Sequence, residues 1–89
     1  MTVCKRVQYS GRVQGVGFRF TAERLAEIFP VSGFVRNLIN GDVELVVEGE
    51  SDKVESFLAS VSQQMAAYIG SARVDDQPAT GCRGFRIRY

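Results

Sequence analysis

The chain has 89 residues, 45% hydrophobic and 24% charged, which is enough for one domain, residues 1–89, and too few for two. Its 11 basic and 10 acidic side chains nearly cancel, which argues against the strongly basic surface of a nucleic-acid-binding protein. No apolar run approaches the roughly 20 residues that span a membrane, and Met1–Arg6 is not followed by the long apolar segment of a secretory signal. We therefore expect a cytoplasmic location and no nucleic-acid or membrane partner.

The residue inventory also restricts the chemistry. There is no histidine, so Ser-His and Cys-His mechanisms are excluded. The two cysteines, Cys4 and Cys82, lie at opposite ends of the chain and form no CxxC pair, so we expect no metal site. Whether they form a disulfide depends on the distance between their Cα atoms, and the sequence leaves this open.

The first elements are a strand and a helix joined by a glycine-rich loop. Apolar and polar residues alternate loosely from Val3 to Ser10, which predicts a half-buried strand ending at Gly11. After the loop, apolar residues recur at helical spacing from Phe18 to Phe29. Pro30 ends this helix, because the residue before a proline disfavours the α-helical region.

The loop between this strand and this helix is the most informative stretch. Its three glycines, Gly11, Gly15 and Gly17, permit positive φ angles and leave no Cβ atoms to block a ligand. Successive backbone N–H groups can then converge on an anion at the positive end of the helix. Arg19 falls in the first helical turn, where its guanidinium can bind two oxygens of a phosphate. The pattern predicts an anion-binding loop, and the alternative is an ordinary turn beside a solvated arginine.

The next two elements form a hairpin. Val31–Ile39 and Asp42–Gly49 are strand-like segments, and Asn40 and Gly41 stand between them. An Asn-Gly pair between two apolar alternating segments predicts a tight antiparallel hairpin in which both turn residues take positive φ angles.

A second helix and two further strands complete the chain. Ser51 is a candidate N-cap, Asp52 lies near the positive helix end, and one apolar stripe predicts a helix that ends before Gly70. The stripe consists of Val54, Phe57, Leu58, Val61 and Met65. The remaining segments are predicted as a strand, a loop and an edge strand, at Ser71–Asp75, Asp76–Gly81 and Phe85–Tyr89.

The order β-α-β-β-α-β, with a short terminal edge strand, predicts an α+β, ferredoxin-like split βαβ sandwich. In this fold both helices cover one face of an antiparallel sheet, and the loop after the first strand lies beside the end of the second. Asn37 is near that end, although asparagine is uncommon in strands. Either the adjacent turn satisfies its side chain, or its carboxamide holds a water molecule in line with a phosphorus atom in the loop.

Two motifs together resemble the acylphosphatase family, and the resemblance covers essentially the whole chain. The motifs are Gly11-Arg12-Val13-Gln14-Gly15-Val16-Gly17-Phe18-Arg19 and Gly33-Phe34-Val35-Arg36-Asn37. The resemblance implies an enzyme that hydrolyses small acyl phosphates to carboxylate and inorganic phosphate by direct attack of water, without metal or cofactor. It also implies that Arg19 and loop amides bind the phosphoryl group, and that Asn37 orients the water. The loop residues concerned are Gln14, Gly15, Val16, Gly17, Phe18 and Arg19.

Several positions depart from the family pattern, and among them Phe29 and Pro30 replace a more usual Leu-Gly end of the first helix, which should alter only its cap. Phe34 stands where tryptophan or tyrosine is common and Phe20 where tyrosine is common, so both keep an aromatic body. Leu38 stands where threonine is frequent, which should affect rate more than the identity of the reaction.

We expect a monomer. Two alternatives stay open: a non-catalytic ferredoxin-like module that binds phosphate, acyl phosphate or RNA, and a relative of the acylphosphatase-like domain of larger carbamoyl-transfer maturation proteins.

Overall fold

The computed structural model describes every residue from Met1 to Tyr89 and contains two helices and one sheet of five strands. The elements in chain order are β1 (Thr2–Gly11), α1 (Phe18–Ile28), β2 (Ser32–Asn37), β3 (Val43–Glu50), α2 (Ser51–Gln64), β4 (Ile69–Gln77) and β5 (Phe85–Arg88). The predicted order, with its short terminal strand, is confirmed. Neither helix combines the length and the apolar character needed to cross a bilayer.

The strands lie in the order β4-β1-β3-β2-β5. β1 pairs with β3 and β4, and β3 pairs with β2, all antiparallel as predicted. β5 instead runs parallel to β2, so the sheet is mostly rather than wholly antiparallel. The cause is the loop after β4, which crosses one end of the sheet and reverses the chain on the far side of β2. β5 therefore finishes at the same end of the sheet as β2.

The hydrophobic core lies between the helices and one face of the sheet. Alternate residues of β1 and β3, such as Val7, Tyr9 and Leu45, face the helices and are at most 1% exposed. Burial of such side chains is the main favourable contribution to folding. The predicted apolar stripe of α2 packs against this face. Its buried members are Val54, Phe57, Val61 and Met65, and Leu58 is partly buried.

β4 is longer at both ends than the sequence predicts. It spans Ile69–Gln77 rather than Ser71–Asp75, whereas α2 ends at Gln64, before Gly70 as predicted. The additional residues at the C-terminal end of β4 pair with β1, which is 10 residues long and offers backbone partners as far as Cys4. Asp76, predicted to lie in a loop, forms an ion pair with Lys5 in this extension.

The start of α2 also differs from the prediction. Ser51 is the first helical residue rather than the N-cap, and Glu50 occupies the N-cap position without a side-chain capping bond. The reason is that α2 follows β3 directly, with no loop between them. The backbone N–H of Ser51 is already paired there, because it donates to the carbonyl of Met1 at 2.9 Å.

The β2–β3 hairpin forms as predicted, but its turn does not require two positive φ angles. Gly41 has a φ of 96°, whereas no non-glycine residue has a positive φ, so the expectation for Asn40 is wrong. The N–H of Gly41 donates to the carbonyl of Leu38 at 3.2 Å, and the N–H of Leu38 donates to the carbonyl of Asp42 at 2.8 Å. The hairpin therefore has a wider connection, in which the Asn40 side chain accepts a bond from the backbone of Asp42.

The crossing loop between β4 and β5 is attached to the sheet through Glu48. This residue lies on the open face, opposite the helices, and is only 6% exposed. Its carboxylate accepts hydrogen bonds from the backbone of Thr80 at 2.8 Å, the hydroxyl of Thr80 at 3.0 Å and the backbone of Gly81 at 2.8 Å. These bonds, led by that from the Thr80 backbone, hold the pKa of Glu48 below its ordinary value.

We predict that Glu48 makes the fold acid-sensitive. Because its pKa is lower in the folded than in the unfolded chain, its stabilising contribution is present above the ordinary value of 4.5 and is lost as the pH falls through the lowered pKa. Glu48→Gln should reduce the loss of stability as the pH is lowered below 4.5, measured by urea unfolding. Glu55→Gln, an exposed site on α2, should keep the wild-type pH dependence. Identical pH profiles for wild type and Glu48→Gln would contradict this role.

Candidate active site

A pocket of about 240 Å³ opens where the β1–α1 loop meets the end of β2. The fold thus brings together the two parts of the chain that the sequence predicts to be neighbours. Of the predicted site residues, the five that line the pocket are Gly15, Gly17, Phe18, Arg19 and Asn37. The side chains of Gln14 and Val16 do not line it. The remaining lining residues are Val13, Phe20, Ile87 and Tyr89.

The loop backbone takes its shape from two of its three glycines. Gly15 and Gly17 have φ angles of 75° and 80°, in the left-handed region, and a Cβ added to either would meet no atom within 4 Å. The space beside them is therefore open to a ligand. Gly11 has a different role, since it is the last residue of β1 and a Cβ there would lie 2.5 Å from the backbone nitrogen of Gly70. Gly11 lacks a side chain so that β1 can pair closely with β4, and it has no part in anion binding.

The same loop carries a run of unused backbone donors. From Val13 to Phe20 no backbone N–H donates to another backbone group, and the first such bond of the helical region runs from Thr21 to the carbonyl of Gly17 at 2.9 Å. Gly17 is the N-cap and provides no side-chain cap, and no acidic residue occurs in the first turn of α1. The positive end of the helix is therefore not neutralised by the protein. Such an arrangement favours an oxyanion.

Buried anchors hold this loop at both ends. Val13 and Phe18 are 1% and 2% exposed, and the ring of Phe18 packs 4.8 Å from that of Tyr9. The backbone N–H of Arg12 donates to the carbonyl of Tyr68 at 2.9 Å. These contacts restrain the backbone donors of the loop, and restrained donors can stabilise charge with little reorganisation.

Arg19 and Asn37 contribute the polar side chains of the pocket. Arg19 is half-buried, and its guanidinium carbon lies 5.0 Å from the centre of the Tyr89 ring. It forms no ion pair, so its donors are available to an anion. Asn37 is the last residue of β2 and pairs with Val43, which places it on the helix-facing side of the sheet. Its carboxamide forms no hydrogen bond with another protein group.

Arg36 adjoins Asn37 in the sequence but lies on the opposite face. Its Nε donates to Glu44 at 2.6 Å, and the Nε of Arg6 donates to the other oxygen of the same carboxylate at 2.5 Å. Burial alone would raise the pKa of Glu44, but the hydrogen bonds from the two arginines outweigh it and hold the pKa below its usual range. This cluster stabilises the open face and takes no part in the pocket.

The other reactive groups of the chain are remote from the pocket or protected by burial. Cys4 and Cys82 are free thiols, and burial together with Glu48 raises the pKa of Cys4. Burial also raises the pKa of Tyr9 well above its ordinary value. No group of three or more His, Cys, Asp or Glu side chains is arranged to hold a metal ion. The pocket can therefore bind an oxyanion and orient a small polar molecule beside it, using amides, one guanidinium and one carboxamide.

Sequence reasoning missed the part of the pocket formed by β5. Ile87 and Tyr89 line the pocket because β5 runs parallel to β2 and ends beside Asn37. The alternation in Phe85–Tyr89 indicates a strand but not its direction, and no other signal in the sequence gives that direction.

Comparisons with known proteins agree with this geometry. The family model for acylphosphatase matches residues 5–87. An acylphosphatase from Methanothrix thermoacetophila is 39% identical over 90 residues, covering 100% of both chains. The solved structure of an acylphosphatase from Coxiella burnetii has a TM-score of 0.87 at 33% identity and covers 98% of this chain and 93% of its own. That of acylphosphatase from Bacillus subtilis has a TM-score of 0.88 at 29% identity and covers 100% of both chains.

We predict that inorganic phosphate stabilises the fold through this pocket. Above the dissociation constant, each tenfold rise in phosphate concentration should add about 1.4 kcal/mol to the free energy of unfolding. Arg19→Ala should lose most of the effect in a thermal unfolding assay. Arg12→Ala is the matched control, because Arg12 is an exposed arginine of the same loop that does not line the pocket. Equal phosphate-induced shifts in both variants would contradict binding at Arg19.

Proposed function

The chain belongs to the acylphosphatase family, and we propose that it hydrolyses small acyl phosphates in the pocket lined by Arg19 and Asn37. The observation that carries this proposal is the run of unpaired backbone N–H groups from Val13 to Phe20, most of whose residues line the same pocket as these two side chains. We place the enzyme in the cytoplasm, acting as a monomer.

The loop and Arg19 are suited to the phosphoryl group. In phosphoryl transfer through a loose transition state, negative charge is spread over three equatorial oxygens, and catalysis consists mainly of positioning and charge stabilisation. Fixed backbone N–H groups from Gln14 to Arg19 supply donors to these oxygens, and the guanidinium of Arg19 adds a positive charge. The positive end of α1 acts in the same direction.

Asn37 is suited to the attacking water. Its carboxamide has both a donor and an acceptor, and neither is used by the protein. The water oxygen forms a bond to phosphorus while the bond between phosphorus and the acyl oxygen breaks. The carboxylate leaves with that electron pair, and the proton of the water passes to the phosphate released. Because a carboxylate is a good leaving group, the reaction needs no histidine as a general acid.

The apolar side of the pocket is suited to the acyl group. Phe20 is 59% exposed and lines the pocket together with Ile87 and Tyr89. When the phosphoryl group is bound to the loop, the organic part of the substrate lies against these three side chains. An aromatic or aliphatic acyl group buries apolar surface there, whereas acetyl phosphate provides only a methyl group.

An RNA-binding module is less favoured by the open face of the sheet. That function relies on exposed aromatic rings on which bases stack. The paired strands β1 and β3 present no aromatic residue on this face, where they carry Cys4, Arg6, Gln8, Glu44, Val46 and Glu48. Phe34 on β2 is the nearby aromatic ring, and the guanidinium of Arg88 covers it at 3.9 Å.

We predict that the purified protein hydrolyses benzoyl phosphate without added metal. Arg19→Ala and Asn37→Ala should each lower kcat/KM by about 10²-fold or more, on the scale of losing one group that stabilises the transition state. The release of inorganic phosphate measures the rate, and circular dichroism checks that each variant is folded. Arg36→Ala, on the opposite face, is the control and should retain wild-type turnover.

Two results would overturn the assignment. A folded wild-type protein without activity above buffer would favour a phosphate-binding module without catalysis. Normal activity in both Arg19→Ala and Asn37→Ala would place the reaction elsewhere in the protein.

We also predict that Phe20 contributes to substrate selection. Phe20→Ala should lower kcat/KM for benzoyl phosphate about 3- to 10-fold more than for acetyl phosphate, which corresponds to the loss of one aromatic contact. The measurement compares the two substrates in wild type and variant. Ile28→Ala removes a similarly exposed apolar side chain at the far end of α1 and should leave the ratio unchanged. An unchanged ratio in Phe20→Ala would contradict acyl-group contact.

A further inference from the structure

The side chain of Gln14 leaves the phosphate-binding loop and reaches the β2–β3 hairpin. Its Nε2 donates to the carbonyl of Leu38 at 2.8 Å and to the carbonyl of Asp42 at 2.9 Å. Both amide protons are therefore used, and both acceptors are backbone atoms of the hairpin. Gln14 is half-buried, so these bonds are partly protected from competing water.

These bonds act on the segment that directly follows Asn37. Asn37 is the last residue of β2, and Leu38 is the first residue beyond the strand. The carbonyl oxygen of Asp42 accepts two hydrogen bonds, one from the backbone N–H of Leu38 and one from the side chain of Gln14. Both ends of the hairpin connection are therefore bonded, through this oxygen, to the β1–α1 loop. Apart from Gln14, the hairpin connection is held by its own turn and by Gln8, whose Nε2 donates to the Asp42 carboxylate at 2.7 Å.

We infer that Gln14 is a positioning residue, which sets the distance between the phosphate-binding loop and the carboxamide of Asn37. The inference rests on the proposed function, in which the loop fixes the phosphorus and Asn37 fixes the water. Displacement of a reacting group by about 1 Å can lower a rate about 10²-fold. A direct link that keeps the two parts of the site at the correct distance therefore raises the reaction rate.

The type of side chain matters at this position. Two carbonyl acceptors require two donors from one nitrogen, which a primary amide provides. A glutamate would place negatively charged acceptors against carbonyl oxygens, and an asparagine is shorter by one methylene. Methionine is close to glutamine in length and volume and has no donor, so Gln14→Met removes the hydrogen bonds while keeping the shape.

The structure predicts an effect on turnover rather than on phosphate affinity. The loop keeps its own anchors in the variant, because Val13 and Phe18 are buried and Arg12 is bonded to Tyr68. The phosphate-binding donors should therefore remain in place, while the hairpin that carries Asn37 gains freedom to move. A merely structural role for Gln14 would instead weaken phosphate binding and turnover together.

The test is a double-mutant cycle with Gln14→Met and Asn37→Ala, using benzoyl phosphate as substrate and inorganic phosphate as inhibitor. We expect Gln14→Met to lower kcat about 10- to 10²-fold, with the phosphate inhibition constant unchanged within about threefold. Adding Gln14→Met to Asn37→Ala should cause no further loss, because a residue that acts through Asn37 has nothing to position once the carboxamide is gone. Gln14→Ala is measured in parallel and should show the same pattern, and circular dichroism shows that each variant has folded.

Gln8→Met is the matched control, because it removes a glutamine that binds the same residue, Asp42, from the open face. It should retain wild-type kcat within about twofold. Wild-type kcat in Gln14→Met, additive losses in the double variant, or a parallel loss of phosphate affinity would each overturn the inference and leave the proposed function standing. Full activity in Asn37→Ala would overturn the inference together with the role proposed for Asn37, and the proposed function itself would fall only if Arg19→Ala were fully active as well.

Discussion

The site depends on a loop whose backbone donors are kept away from protein acceptors. Folding ordinarily pairs nearly all backbone N–H groups, because an unpaired buried donor is costly. Here the run from Val13 to Phe20 is left unpaired at the edge of a pocket, where solvent or a ligand can reach it. Two left-handed glycines shape the run, and the buried side chains of Val13 and Phe18 within it anchor it to the core. The remainder of the site is arranged around these donors.

The sheet topology delivers three separate segments to this loop. β1 leads into the loop, and β2 ends at Asn37. β5 runs parallel to β2 and ends beside Asn37. The direction of β5 is set at the other end of the sheet, where Glu48 holds the crossing loop through Thr80 and Gly81. A carboxylate remote from the pocket thus helps to place the side chains of β5 that line it.

The sequence predicts the features that follow from local patterns. Alternation and helical periodicity give the element order, and that order places the glycine-rich loop beside Asn37. The features that it misses depend on long-range contacts. The bonds from Gln14 to the hairpin and the direction of β5 leave no periodic signal. Gly11 resembles the other loop glycines in sequence, but only the approach of Gly70 shows that it serves strand pairing. In the β2–β3 turn only Gly41 has a positive φ, because the connection is longer than two residues. The Asn-Gly pair alone does not determine that length.

The unexpected length of β4 has a consequence for self-association. An edge strand of 9 residues presents a row of backbone groups on which another chain could add a strand. β4 carries charges along this edge, at Arg73, Asp75 and Asp76, and the first and last are exposed. The opposite edge, β5, is 4 residues long and bears the exposed residues Arg86 and Arg88. Charge on the long edge and the short length of the other edge both oppose edge-to-edge aggregation.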